Sequence, residues 1–153
     1  MGGFADARDE IYGQLTDATF RAALLSLLSY QPEIKFWGVS RSGEGGEQPP
    51  PLQEIFMSAS ISHGETDETL AGGLGAHSYG YQGIVTVQVF EPSRQDLSVV
   101  ELACELVRDQ YRGVRTAGSP SVWFRDSRII EVGQTPSGVQ FNVTSIFQYS
   151  EVS

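Results

Sequence analysis

Imidazole and carboxylate side chains gather in one glycine-rich stretch, residues 63–82. It holds His63, Glu65, Asp67, Glu68 and His77 among Gly64, Gly72, Gly73, Gly75 and Gly80. Such nitrogens and oxygens together form a donor set for a divalent cation. The spacing, however, matches no established site. HExxH, which sets two imidazoles on one helical face, is missing, and so is the Asp-x-Asp-x-Asp-Gly run of a calcium loop. The stretch therefore reads as a long loop without a metal. It is either an arm that reaches a neighbour or lines a channel, or a plain exposed connection; loops of such length in compact domains are often functional.

Three other groups invite chemistry and fall short of it. Cys104 is the single cysteine, so neither an internal disulfide nor a Cys-rich zinc site can form. Its helical neighbours Val100 and Val107 mark it as a small buried hydrophobe, and nothing in the chain brings His63 or His77 to it. Glu101 and Glu105 stand one helical turn apart, but no second constellation converges on them, so they read as a solvated helix face. Gly43, Gly45 and Gly46, followed by Pro49 to Pro51, fit neither a phosphate-binding loop nor GxGxxG, and no Lys-Ser/Thr follows. A flexible connector leading into a stiff spacer accounts for them. No catalytic, cofactor-binding or metal-ligating residues are assigned, no cofactor is expected, and nothing in the chain asks for an enzyme.

Charge is unevenly spread. The 153 residues carry a net charge of -9, yet residues 42–93 contain no Lys or Arg and seven acids: Glu44, Glu47, Glu54, Glu65, Asp67, Glu68 and Glu91. Arginines gather later, at Arg94, Arg108, Arg112, Arg115, Arg125 and Arg128. This balance argues against tight nucleic-acid binding, which comes from neutralising phosphates. It is compatible with a wall past which DNA slides, or with a generic solubilising surface. No apolar run approaches the roughly 18 residues a membrane span needs. The N-terminus has neither the basic start nor the apolar core of a secretory signal. A cytosol-type compartment is expected.

The elements that position these groups follow from periodicity. Ile11, Leu15, Ala18, Ala22 and Leu25 mark a helical face within residues 5–29, with a possible break at Thr16-Asp17 where Asp17 caps a second helix. Leu24, Leu27 and Leu28 widen that face, so this helix is either sandwiched in the core or partly covered by a neighbouring subunit. Gln31-Pro32 ends the helix. Residues 34–39 and 52–62 read as strands, the second apolar on one side and mostly hydroxyl on the other. In the central strand, residues 83–91, Val85, Val87 and Val89 face one way and Ile84, Thr86, Gln88 and Phe90 the other. Ser93 to Asp96 resembles a capping box for a helix that Gly113 ends. Residues 121–126, 129–133 and 139–149 read as strands, with Asp126-Ser127-Arg128 and Pro136-Ser137-Gly138 as turns. Trp123 and Phe124 are adjacent, so one of them points away from the core. The sum is one domain over residues 1–153, of α+β class: a mostly antiparallel sheet with two helices packed on one face, and two long projecting loops at 41–51 and 63–82.

The run Tyr81-Gln-Gly-Ile-Val-Thr-Val-Gln-Val-Phe-Glu-Pro92 resembles the central strand of the tail-terminator (tail-completion) family of long-tailed bacteriophages. The similarity continues through the helix Val99 to Gly113, through Val122-Trp-Phe-Arg, and through the alternating strand Gly138 to Tyr149. It covers about the C-terminal half, as a match of pattern and order. The resemblance implies a virion protein, made in the host cytoplasm, that forms a ring, usually hexameric, at the head-proximal end of the tail. Such a ring stops tube-protein polymerisation and offers the joining surface to the head connector. Its partners would be further copies of itself, the tail tube protein and the connector or neck protein, with DNA passing through unbound and no membrane involved. On that reading Ile84, Phe90, Leu24, Leu28 and Trp123 are subunit-interface candidates, and Glu44, Glu47, Glu65, Asp67 and Glu68 are candidates for an acidic lumen or loop. The alternatives are another neck or head-completion protein and, more distantly, a small intracellular ligand-binding domain or enzyme.

Overall fold

The computed structural model describes residues 4–37, 54–70, 77–92, 97–118, 121–135 and 138–152. Three helices, α1 (Phe4–Thr16), α2 (Ala18–Leu28) and α3 (Leu97–Tyr111), accompany five strands: β1 (Ile34–Phe36), β2 (Phe56–Leu70), β3 (His77–Glu91), β4 (Trp123–Thr135) and β5 (Gly138–Val152). The strands form one sheet in the order β1-β2-β3-β5-β4, antiparallel except for the short β1–β2 pair. The α+β class and the one-sided helical layer expected from the sequence are both present.

The helices cover the face that carries Val85, Val87 and Val89, all fully buried. Met57, Ala59, Phe141, Val143 and Phe147 join them from neighbouring strands. From above come Ile11 and Leu15 of α1, Phe20 and Leu24 of α2, and Val100, Cys104, Val107 and Tyr111 of α3. One polar pair lies in this apolar layer: the Ser145 hydroxyl donates to Ser127 Oγ at 2.8 Å, both residues being fully buried.

Asp17 does cap a second helix. Its ψ of 134° breaks the α1 path and its carboxylate accepts the Phe20 N–H at 3.1 Å. The break also resets the helical phase. A continuous helix would turn Ala18, Ala22 and Leu25 inward; instead Phe20, Leu24 and Leu28 are buried, while Ala18, Ala22 and Leu25 are exposed. Leu24 and Leu28 are therefore corrected from interface candidates to core residues, with exposures of 0% and 8%. α3 ends where expected, with Gly113 at φ +70°.

Two further expectations change. The long loop at residues 63–82 is instead largely the distal part of a β2–β3 hairpin, with Thr66 to Leu70 paired to Tyr81 to His77. Gly64 and Glu65 fall in a register irregularity between His63 and Thr66, Asp67 and Glu68 pair regularly with Gly80 and Tyr79, and Gly72, Gly73 and Gly75 lie outside the described residues. Asp126-Ser127-Arg128 is not a turn: β4 runs unbroken through it, with a bulge between Phe124 and Asp126. The Asp126 carboxylate takes the Ser127 N–H at 2.9 Å, so the turn-forming chemistry serves the bulge instead. The connector at 41–51, the Ser93–Asp96 cap, Glu44 and Glu47 lie outside the described residues.

Candidate functional site

The described helices lie on one face, and among the described residues no element covers the other side of the sheet. Strand alternation sends alternate residues there, and cross-strand register arranges them in rows. Ser62, Ile84 and Ile146 form one row, Ser60, Thr86 and Thr144 the next, and Ser58, Gln88, Asn142 and Ile130 a third. Beyond them Phe56 and Phe90 stack with ring centroids 4.7 Å apart. The surface is mainly hydroxyl and amide, but large apolar groups interrupt it. Ile84 is 43% exposed, its cross-strand partner Ile146 42%, and Ile130 48%. At the β1 edge Trp37 is 56% exposed, its indole N–H donating to Ser58 Oγ at 2.9 Å, with the Lys35 ammonium 4.6 Å from the ring centroid. Of the interface candidates, Ile84 and Phe90 thus lie on the open face. Ile146, Ile130 and Trp37 were not singled out from the sequence. The signal for Ile146 was there: it falls in the outward register of a strand whose other outward members are Gln140, Asn142, Thr144 and Gln148.

Trp123 faces away from the core and Phe124 into it, where Phe124 is fully buried. A small closed loop holds Trp123 in place. After Gly113, Phe124 N–H donates to Val114 O at 2.8 Å and Arg115 bridges Trp123. Thr116 then clasps the returning chain, its Oγ1 taking the Val122 N–H and its carbonyl the Ser121 hydroxyl. The result sets the Arg115 and Arg125 guanidinium carbons 5.2 and 5.7 Å from the indole centroid. Arg115 and Trp123 border a groove of about 480 Å³ whose lining also includes Gly80, Gln82, Gln148 and Ser150. Beside it Asp126 is held by Arg128 at 3.2 Å and Arg112 at 3.7 Å. The hydrogen bond from Arg128, with that from the Ser127 N–H, keeps its carboxyl below the usual range.

The groups that suggested chemistry are dispersed. Cys104 is fully buried in α3; burial, reinforced by Glu101 and Glu105, pushes its thiol up to about 12. It is protonated at neutral pH and out of reach of solvent. Glu101 and Glu105 are exposed on the far side of the same helix. His63 lies at the helix-covered end of the sheet, 3.1 Å from the Tyr149 hydroxyl and against the Phe4 ring, and burial lowers its pKa. Glu65, Asp67, Glu68 and His77 belong to the distal hairpin strands. Among the described residues, no three of His, Cys, Asp or Glu converge as a metal site, and no helix is long and apolar enough to cross a membrane.

No family model and no curated protein matches the sequence. Solved structures do resemble it. One, which carries no functional description, has a TM-score of 0.63 at 12% identity, over 94% of this chain and 92% of its own. Another, described as the virion of a native gene transfer agent particle, has a TM-score of 0.48 at 17% identity, over 97% and 98% of the two chains. The first likeness shows a shared fold; the second is too slight to bear on function.

Proposed function

We propose that this chain is a structural, non-catalytic virion protein: a subunit of a ring that caps the head-proximal end of a phage tail tube, ends tube polymerisation and joins the tail to the head connector. The observation that carries this reading is the one-sided sheet. The face carries the adjacent pair Ile84 and Ile146, with Ile130 and Trp37 also exposed, and these apolar groups offer anchor points for a neighbouring subunit. The isoleucines are already about half covered, so burying the remainder of each contributes about 1 kcal/mol. The sequence resemblance over Tyr81 to Pro92, Val99 to Gly113 and Gly138 to Tyr149 supports the specific role. Those segments are β3, α3 and β5, the strands and helix at the centre of the fold. The partners are further copies of the chain, the tube protein and the connector. The acidic, Lys/Arg-free middle of the sequence suits a passage that DNA traverses without sticking.

Native mass measurement over a wide concentration range tests the ring, and electron microscopy of labelled particles tests its place. The expected results are a closed cyclic oligomer and label at the junction of tube and head. A strict monomer at every concentration, together with no label at that junction, refutes the proposal. In the same assay Ile84→Asp is expected to weaken association while leaving the monomer folded.

A further inference from the structure

α3 carries its charges in two separate blocks. Glu101, Glu105, Arg108 and Arg112 fall within roughly 60° of one another about the helix axis, at 100° per residue, and so form one row along its exposed side. Arg112 continues the helical path, its N–H donating to Arg108 O at 2.8 Å. Acids occupy the first half of the row and arginines the second. Within one chain this segregation is unfavourable. Glu101 with Glu105, Glu105 with Asp109, and Arg108 with Arg112 are like charges four residues apart. The ion pairs about the row lie at its basic end: Arg108 holds Asp109 at 3.1 Å, and Asp126 is shared by Arg112 at 3.7 Å and Arg128 at 3.2 Å. Three arginines against two carboxylates leave that end positive, and each guanidinium has further N–H donors to offer. Beside the row Leu102 is 47% exposed.

Such a row is complementary to its own reverse. The midpoint between Glu101 and Arg112 along the helix is also the midpoint between Glu105 and Arg108. An antiparallel copy, turned about a two-fold axis through that point, sets both acids against both arginines at once. We infer that α3 pairs antiparallel with α3 of a second copy of this chain, Glu101 meeting the partner's Arg112 and Glu105 the partner's Arg108, with Leu102 at the flank of the contact. The occupant is a second copy because the row itself supplies both signs, in the reverse order and at the matching spacing. The contact is isologous, so each ion pair occurs twice. It lies on the helical side of the sheet, opposite the face of Ile84 and Ile146, and thus goes beyond the ring reading without depending on it.

Native mass measurement of the Ile84→Asp chain, in which the ring contact is weakened, reads this pair by itself. A dimer is expected, loosening as salt rises. In the same background, Glu101→Arg with Glu105→Arg makes the row wholly positive, and Arg108→Glu with Arg112→Glu makes it wholly negative. Each is expected to pair with itself about tenfold or more weakly than the Ile84→Asp chain. Mixed in equal amounts, the two are expected to form a one-to-one heterodimer, and the chain carrying all four reversals is expected to pair with itself again. Circular dichroism checks that each monomer folds. Glu101→Gln with Glu105→Gln, which adds no repulsion, keeps the test decisive where a reversed chain misfolds; it is expected to weaken pairing by a smaller factor. An Ile84→Asp chain that stays monomeric overturns this contact and leaves the ring to its own test. A dimer that the reversed and neutral variants form equally well overturns it too, as does the absence of a heterodimer on mixing. A parent chain that forms no ring while the Ile84→Asp chain still pairs refutes the ring and supports this contact.

Discussion

The buried pair Ser127 and Ser145 gives a sharp test of the packing. The Ser145 hydroxyl donates to Ser127 Oγ at 2.8 Å, and both residues are fully buried beneath the helices. Replacing one serine by alanine leaves the other hydroxyl in an apolar layer without water. A buried polar group left unsatisfied costs about 1–3 kcal/mol. Replacing both removes the two polar groups together and leaves only small methyl-sized changes in volume, an exchange that can be nearly neutral. Ser127→Ala and Ser145→Ala are thus each expected to destabilise by about 2 kcal/mol. At this chain length that is a fall in Tm of roughly 4–8 °C. The double variant should be more stable than either single one. Urea unfolding of the four proteins at one dilute concentration closes a double-mutant cycle, with constant m values confirming that only stability has changed. Additive losses, with the double variant least stable, would refute the reasoning: the hydroxyls would then not depend on one another.

Other perturbations have equally definite outcomes. Asp17→Ala removes the carboxylate that takes the Phe20 N–H and should cost about 1 kcal/mol, read as a lower urea midpoint; Asp17→Asn should retain most of it. Cys104, buried and with its thiol pushed up to about 12, should resist alkylation at neutral pH in the folded protein and react promptly in denaturant. Burial lowers the His63 pKa below its ordinary 6.5, so the unfolded chain binds more protons in that interval. This contribution to stability is present above the ordinary value and is lost as pH falls through the lower folded value. Urea midpoints should therefore drop on acidification through that window, and the drop should be shallower in His63→Gln.

Local signals in the sequence were reliable where one residue sufficed. Asp17 announces a cap, Gly113 a helix end, and Val85, Val87 and Val89 an inward strand face, and each acts so in the fold. Misreadings arose where a residue type has two uses. Glycines and acids at 63–82 suggest a loop, yet the pairing of Thr66 to Leu70 with β3 holds much of that stretch as a hairpin. Asp126-Ser127-Arg128 suggests a turn, yet β5 holds it in register as a bulge. Leu24 and Leu28 looked surplus because the phase was carried through Asp17, where the backbone in fact resets it.

The sequence by itself determined the α+β class, the inward valines, and an outward set containing Ile84 and Phe90, because alternation and helical spacing are properties of neighbours along the chain. Only the tertiary structure decided that the described helices all pack on the opposite side from this outward face, that Ile146 and Ile130 share it, and that Arg115 and Arg125 meet over Trp123. The physical reason is that strand order and register are non-local. A strand's pattern sorts its residues between two sides, but the choice of partner strands, and where each one stops, is made by pairing and packing across the whole sheet.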